Sequence, residues 1–173
     1  MKIGLMSDTH SHLDEDVFKF FKDCDQIWHA GDIGNIETAD KLEAFKPLRA
    51  VYGNIDGHEL RARYPKELHF ECGGITIWMT HIGGYPGRYP KYIHGRLKWY
   101  RPTLFICGHS HILKVMRDKD LGTLHMNPGA CGVHGIHRMK TLLRFSIINR
   151  QIKNLEVIEL GLRGTIKEDK EEF

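Results

Sequence analysis

Seven side chains able to bind divalent metal ions stand just past short strand-like runs of this chain. Asp8 and His10 follow Lys2–Ser7, Asp32 follows Gln26–Ala30, and Asn54 follows Leu48–Tyr52. His81 follows Ile75–Thr80, while His109 and His111 follow Thr103–Cys107. In open α/β sheets, ligands bind in the crevice beyond the carboxyl ends of the strands, so these residues are expected to converge on one cluster. Every donor is oxygen or nitrogen. That favours a hydrolytic site for Mn, Fe, Zn, Co or Ni over a closed structural zinc site. Seven ligands are too many for one tetrahedral ion and suit two ions sharing a bridging carboxylate. Two metals ~3.5–4 Å apart can stabilise the attacking and leaving oxygens of an in-line displacement at phosphorus. A water bridging them loses a proton near neutral pH and becomes the nucleophile.

The elements that must carry these residues are legible in outline. Leu13–Asp23, with Asp14 and Glu15 in its first turn, reads as a helix. Ile36–Phe45 places Ile36, Ala39, Leu42 and Phe45 on one helical face. Alternating with three strands, these helices predict a parallel sheet with right-handed crossovers. Glu67–Cys72 and Ile75–Thr80 flank Gly73-Gly74, a hairpin signal. Pro90–Tyr100 reads as a helix stopped at Arg101-Pro102. Ile112–Arg117, Thr123–Met126 and Thr141–Asn149 read as three antiparallel strands, with Gln151–Leu160 a fourth. The expectation is a mixed α/β domain of two packed sheets with helices outside each, covering 1–165. A charged tail, 166–173, is expected to fray over Lys167–Phe173.

Composition sets looser bounds. At 173 residues, 41% hydrophobic and 27% charged, the chain can bury a core without staples. A net charge of +3 does not indicate nucleic acid, although it would not repel an anionic substrate. Cys24, Cys72, Cys107 and Cys131 lie far apart with no C-x-x-C pair, so they read as buried thiols of a reducing compartment. Neither a signal peptide nor an apolar run of membrane-spanning length is present, which points to the cytoplasm.

Asp8-x-His10, Gly31-Asp32, Gly53-Asn54, His81 and Gly108-His109-x-His111 together resemble the five-motif signature of calcineurin-like metallophosphoesterases. The resemblance is greatest to the small single-domain YfcE-type phosphodiesterases, and Asn127-Pro128-Gly129 is similar to a further segment of that group. It implies a four-layer α-β-β-α sandwich of two mixed sheets with the metal site at the strand C-terminal ends. It also implies two divalent ions: Asp8, His10 and His111 on the first, Asp32 bridging, and Asn54, His81 and His109 on the second. Asp32, Asn54 and His109 would serve catalysis directly. The implied partner is a small phosphodiester, with homo-oligomerisation open. An alternative is a non-catalytic scaffold on the same fold, as in the retromer subunit that resembles these enzymes and binds partner proteins.

One position departs from the pattern. Many family enzymes carry a histidine after the motif asparagine, which protonates the leaving group or holds phosphate; here it is Ile55. Losing a general acid typically costs about 10²–10⁴-fold in rate. Asp56, His58 and His12 are the candidates to replace it, with His12 alternatively capping the following helix. The glycine-rich loops Ile82–Tyr89 and Gly129–Arg138 are placed to shape a substrate mouth. By default His29 reads as a buried strand residue. His69, His94, His125, His134 and His137 read as solvated or surface-bonded, and Arg88 and Arg138 as surface charges. Trp78, Trp99 and Tyr100 read as core.

Overall fold

A computed structural model describes residues 1–164. The first sheet gathers Lys2–Met6 (β1), Gln26–His29 (β2) and Leu48–Ala50 (β3) as parallel neighbours, with Met139–Ile148 (β9) and Gln151–Leu162 (β10) added antiparallel beside β1. Asp16–Phe21 (α1), Ile36–Phe45 (α2) and the short His58–Arg63 (α3) cover its outer face. The second sheet has the order β4-β5-β6-β8-β7, built from Glu67–Cys72 (β4), Ile75–Thr80 (β5), Leu104–Ile106 (β6), Leu113–Arg117 (β7) and Leu124–Pro128 (β8). Lys91–Tyr100 (α4) packs on its far side.

Alternation along the strands produces the layers. Ile3 and Leu5 of β1, Trp28 of β2 and Leu143, Phe145 and Ile147 of β9 face inward. They meet Ile75, Ile77 and Met79 of β5, Leu104 and Ile106 of β6, and Met126 of β8. Residues of opposite parity (Met6, Ile27, Leu142) pack under α1 and α2 with Val17, Phe21 and Leu42. On the second sheet Trp78, Phe105 and Cys107 point outward against Ile93 and Leu97 of α4. A strand's side-chain period of two thus gives each sheet two buried faces. The result is the four-layer α-β-β-α sandwich expected.

Several expectations need correction. The first helix begins only at Asp16, because Asp14 folds back to accept the Asp16 amide at 3.0 Å. Residues 124–128 do not form a purely antiparallel set with their neighbours. β8 lies parallel to β6 and antiparallel to β7, and β9 crosses to the first sheet. His125 is fully buried, since β8 is covered on both faces, and neither ring nitrogen has a hydrogen-bond partner. Trp78 is buried as expected, but Trp99 is 77% exposed on α4 beside Tyr100. All four cysteines are buried and free. Among the described residues no helix is long and apolar enough to cross a membrane. The tail Lys167–Phe173 lies outside the described residues.

Candidate metal centre

The loops leaving β1 and β2 run side by side beyond the sheet. The amides of Asp8, His10 and Ser11 donate to the carbonyls of Gly31, Asp32 and Ile33 at 2.9–3.0 Å. The chain after β8 joins them, with Cys131 and Gly132 donating to the carbonyls of Ser7 and Asp8. Sheet-like pairing therefore continues past the strand ends and fixes the backbone under the candidate ligands.

That backbone is unusual. Asp8, His10, Asp32, His109 and His111 all adopt left-handed φ values, between 48° and 66°. For an L-residue this conformation costs about 1–2 kcal/mol, and such strain concentrates at functional sites, where the surroundings over-determine it. The motif glycines are required by close approach. A Cβ on Gly53 would lie 2.0 Å from Asp32 Oδ1, and one on Gly108 would lie 2.0 Å from Ser7 Oγ and 2.8 Å from Asp8 Oδ2. Any side chain there would collide with the carboxylates or their support.

Two groups of donors result. Asp8, His10 and His111 offer atoms within 4.8 Å of one another, and so do Asp32, His81 and His109. Asp32 Oδ2 lies between the groups, 3.6 Å from His10 Nε2 and 3.2 Å from His81 Nε2. Asn54 Oδ1 joins the second group 3.0 Å from His81 Nε2. Asp8 Oδ1 stands 3.1 Å from His111 Nε2 and 3.9 Å from both His10 Nε2 and His81 Nε2. The structure thus brings all seven side chains singled out in the sequence to one place. The other carboxylate oxygens are held from behind: Asp8 Oδ2 accepts the His109 amide at 3.1 Å, and Asp32 Oδ1 accepts the Ile55 amide at 3.0 Å.

The donor set fits divalent cations. Asp8 Oδ1 and His10 Nε2 are buried without a hydrogen bond, a costly state for polar atoms unless something else satisfies them. His81 Nδ1 lies 2.8 Å from the Ala30 carbonyl. If Nδ1–H donates there, neutral His81 turns a lone pair at Nε2 towards two further acceptors, Asp32 Oδ2 and Asn54 Oδ1. Three converging acceptors call for a cation or a proton between them. The titration behaviour agrees. Burial pushes the Asp8 carboxyl up, but His10, His111 and His81 outweigh it and hold it well below the usual carboxylate range. His10 is raised chiefly by Asp8. His81 is lowered by burial, yet Asp32 and Asp8 raise it above the ordinary imidazole value overall. This negative field attracts protons and divalent ions alike, and the two compete.

A histidine not expected to matter supports the first group. His137, read from sequence as a solvated loop residue, is buried; its Nδ1 lies 3.3 Å from His111 Nδ1 and its Nε2 3.0 Å from the Gly132 carbonyl. No spacing signal marks it, because the contact spans 26 residues. Asp56 is not placed as a proton donor: it is buried, and its two oxygens accept the amides of Gly34 and Gly53, both at 2.8 Å. His12 does not cap α1, whose N-cap is Glu15 without a side-chain bond. His29 is buried and bonded to Thr9 Oγ1 and the Gly31 amide, as expected of a strand residue. Exposed Ile55 leaves an apolar side chain beside Asn54.

The model of the calcineurin-like phosphoesterase superfamily domain matches residues 1–150. The chain belongs to that superfamily. A Methanothermobacter thermautotrophicus protein named "probable metallophosphoesterase" is 30% identical over 135 residues, covering 75% of this chain and 77% of the relative. A phosphodiesterase of Methanocaldococcus jannaschii is 27% identical over 147 residues, covering 76% and 84%. Among solved structures, a novel archaeal phosphodiesterase superposes with TM-score 0.71 at 23% identity, covering 92% of this superfamily member and all of that chain. Vps29 of Chaetomium thermophilum superposes with TM-score 0.73 at 15% identity, covering 92% and 97%. Those two likenesses speak to the fold. Membership makes the chain a metallophosphoesterase-family protein, in a family that depends on metal.

Proposed function

We propose that this protein is a dinuclear metal-dependent phosphodiesterase. The observation carrying the reading is that Asp32 Oδ2 stands near His10 of one donor group and His81 of the other. Asp8, His10 and His111 would hold one ion, Asn54, His81 and His109 the other, and Asp32 would serve both. Such ions supply Lewis-acid activation of water and neutralise charge on a phosphoryl group. The chain's own residues do the rest. Backbone amides clamp Asp8 and Asp32 from behind, so neither carboxylate must reorganise during the reaction. Exposed His109 and Asn54 stand at the open side, where substrate oxygens would arrive.

The leaving-group preference rests on Ile55. With an apolar side chain after Asn54 and with Asp56 committed to backbone amides, neither of these positions supplies a proton for a departing alkoxide. Leaving groups of low pKa are therefore favoured. A non-catalytic scaffold, the other role known on this fold, would not need seven competent ligands around one buried cluster.

Steady-state comparison of bis(p-nitrophenyl) phosphate, p-nitrophenyl phosphate and an alkyl monoester on Mn²⁺-loaded protein tests the reading. The expected order is bis-aryl diester, then aryl monoester, then alkyl monoester. Ile55→His should raise turnover of the poor leaving groups selectively. Equal or better turnover of the alkyl monoester by the native protein would refute the diesterase assignment.

A further inference from the structure

Beside the candidate metal centre lies an open cavity of about 440 Å³. Asn54 and His81 line it as well as belonging to the donor cluster, so whatever is held at the metals can extend directly into it. Beyond them the wall is apolar and aromatic: Tyr52 after β3, Ile82 after β5, and Tyr92 and Ile93 of α4. Ile82 and Tyr92 are 48% and 56% exposed, so their surfaces are open to a ligand. Two cations complete the wall, Arg61 and Lys66. Arg61 is fixed in place: it donates to the carbonyls of Asp56 and Asn54 at 2.6 and 3.1 Å and sits 5.1 Å from the Tyr52 ring centroid. The one acidic residue of the wall, Glu67, is engaged by the Tyr92 hydroxyl at 2.8 Å and by Arg96 at 3.6 Å. The free charge facing the cavity is therefore positive.

We propose that this cavity binds the nucleoside-sized aromatic arm of a small phosphodiester, and that Lys66 and Arg61 receive a second anionic group on that arm. The inference rests on the phosphodiesterase reading and names its substrate class: nucleotide-like diesters, not simple alkyl or phenyl ones. Its volume lies within the range of small-molecule sites, and a methyl or phenyl arm would leave much of it as water. Two tyrosine rings in the wall, Tyr52 and Tyr92, suit a flat base, and a distal phosphate is the complement of the two lining cations, Arg61 and Lys66.

Calorimetric titration of the Mn²⁺-loaded protein with thymidine 3′,5′-bisphosphate and with methyl phosphate tests the site by affinity. The bisphosphate should bind at least about tenfold more tightly, the worth of one stacked base plus a charge contact. Tyr92→Ala and Lys66→Ala should each shrink that ratio, and together bring it to within about twofold of unity. Equal affinities in the native protein, or a ratio unchanged in both variants, would overturn the proposal. Hydrolysis of bis(p-nitrophenyl) phosphate is followed on the same samples. Preferential bisphosphate binding without any hydrolysis would keep the pocket and remove the phosphodiesterase reading instead.

Discussion

His137 Nδ1 lies 3.3 Å from His111 Nδ1, while His137 Nε2 lies 3.0 Å from the carbonyl of Gly132. The carbonyl can only accept, so His137 donates from Nε2 and, when neutral, accepts at Nδ1. His111 then donates from Nδ1 and is left with its lone pair at Nε2, the atom facing Asp8 Oδ1 at 3.1 Å. One carbonyl thus sets the tautomers of two imidazoles and prepares His111 as a metal ligand. Partners of this kind typically change metal affinity roughly 10–100-fold. His137→Leu should weaken Mn²⁺ or Co²⁺ binding by that order in a calorimetric titration, and alter the visible spectrum of the Co²⁺ form. His137→Gln, which still offers an acceptor to His111, should restore most of the affinity. Leu and Gln variants of equal, native affinity would show that His137 only fills space.

Asp32→Asn tests the bridge. The amide keeps the shape and one oxygen but removes the charge lying between His10 and His81. Both groups of donors should lose affinity and hydrolysis should fall to background, with the fold intact by circular dichroism. Native metal content and turnover in this variant would remove Asp32 from the role given to it.

How much of this was legible beforehand depended on the physics of each residue. Ile3, Leu5, Ile27 and Trp28 declare β1 and β2 by alternation, and the seven donors declare themselves by standing at strand ends next to small residues. The order β6-β8-β7 was not readable, because insertion of β8 between two strands leaves no local mark. The left-handed backbone at Asp8 and His111 was equally silent, since it is imposed by the ladder to neighbouring loops rather than by residue type. His137 and His125 are buried although their local sequence is polar, because burial is a tertiary property that local polarity does not report.

A second concealed relationship is the ion pair of Lys140 with Asp14, 2.9 Å apart across 126 residues, with the lysine side chain only 1% exposed. Removing one partner of a buried pair is expected to cost about 3–5 kcal/mol, because the other charge stays buried alone. Asp14→Ala should therefore lower the denaturant midpoint strongly, whereas Asp14→Leu combined with Lys140→Met should recover much of the loss. Burial raises the Asp14 carboxyl, but Lys140 and the Asp16 amide outweigh it and lower its pKa. The pair's contribution is thus present above the ordinary carboxylate value of 3.8 and disappears as pH falls through the lower folded value. A double variant no more stable than Asp14→Ala would show that the cost is not electrostatic.

His125 predicts how stability responds to milder acid. Burial, reinforced by Lys114 and opposed by Asp118, pushes its imidazole down from 6.5 to about 4. The unfolded chain takes up this proton as pH drops below 6.5, whereas the folded chain resists until about 4. Stability should be level above that window, fall across it and level again beneath it, by an amount on the order of 3 kcal/mol from this residue. His29, also lowered to about 4 by burial, acts in the same direction in the same window. Subtracting a His125→Leu variant from the native protein cancels His29 and the metal ligands. The difference between their urea-unfolding free energies, measured from pH 7.5 to 4 in chelator, should shift towards the variant as pH falls. A difference that stays flat over that range would mean that His125 takes up its proton inside the fold.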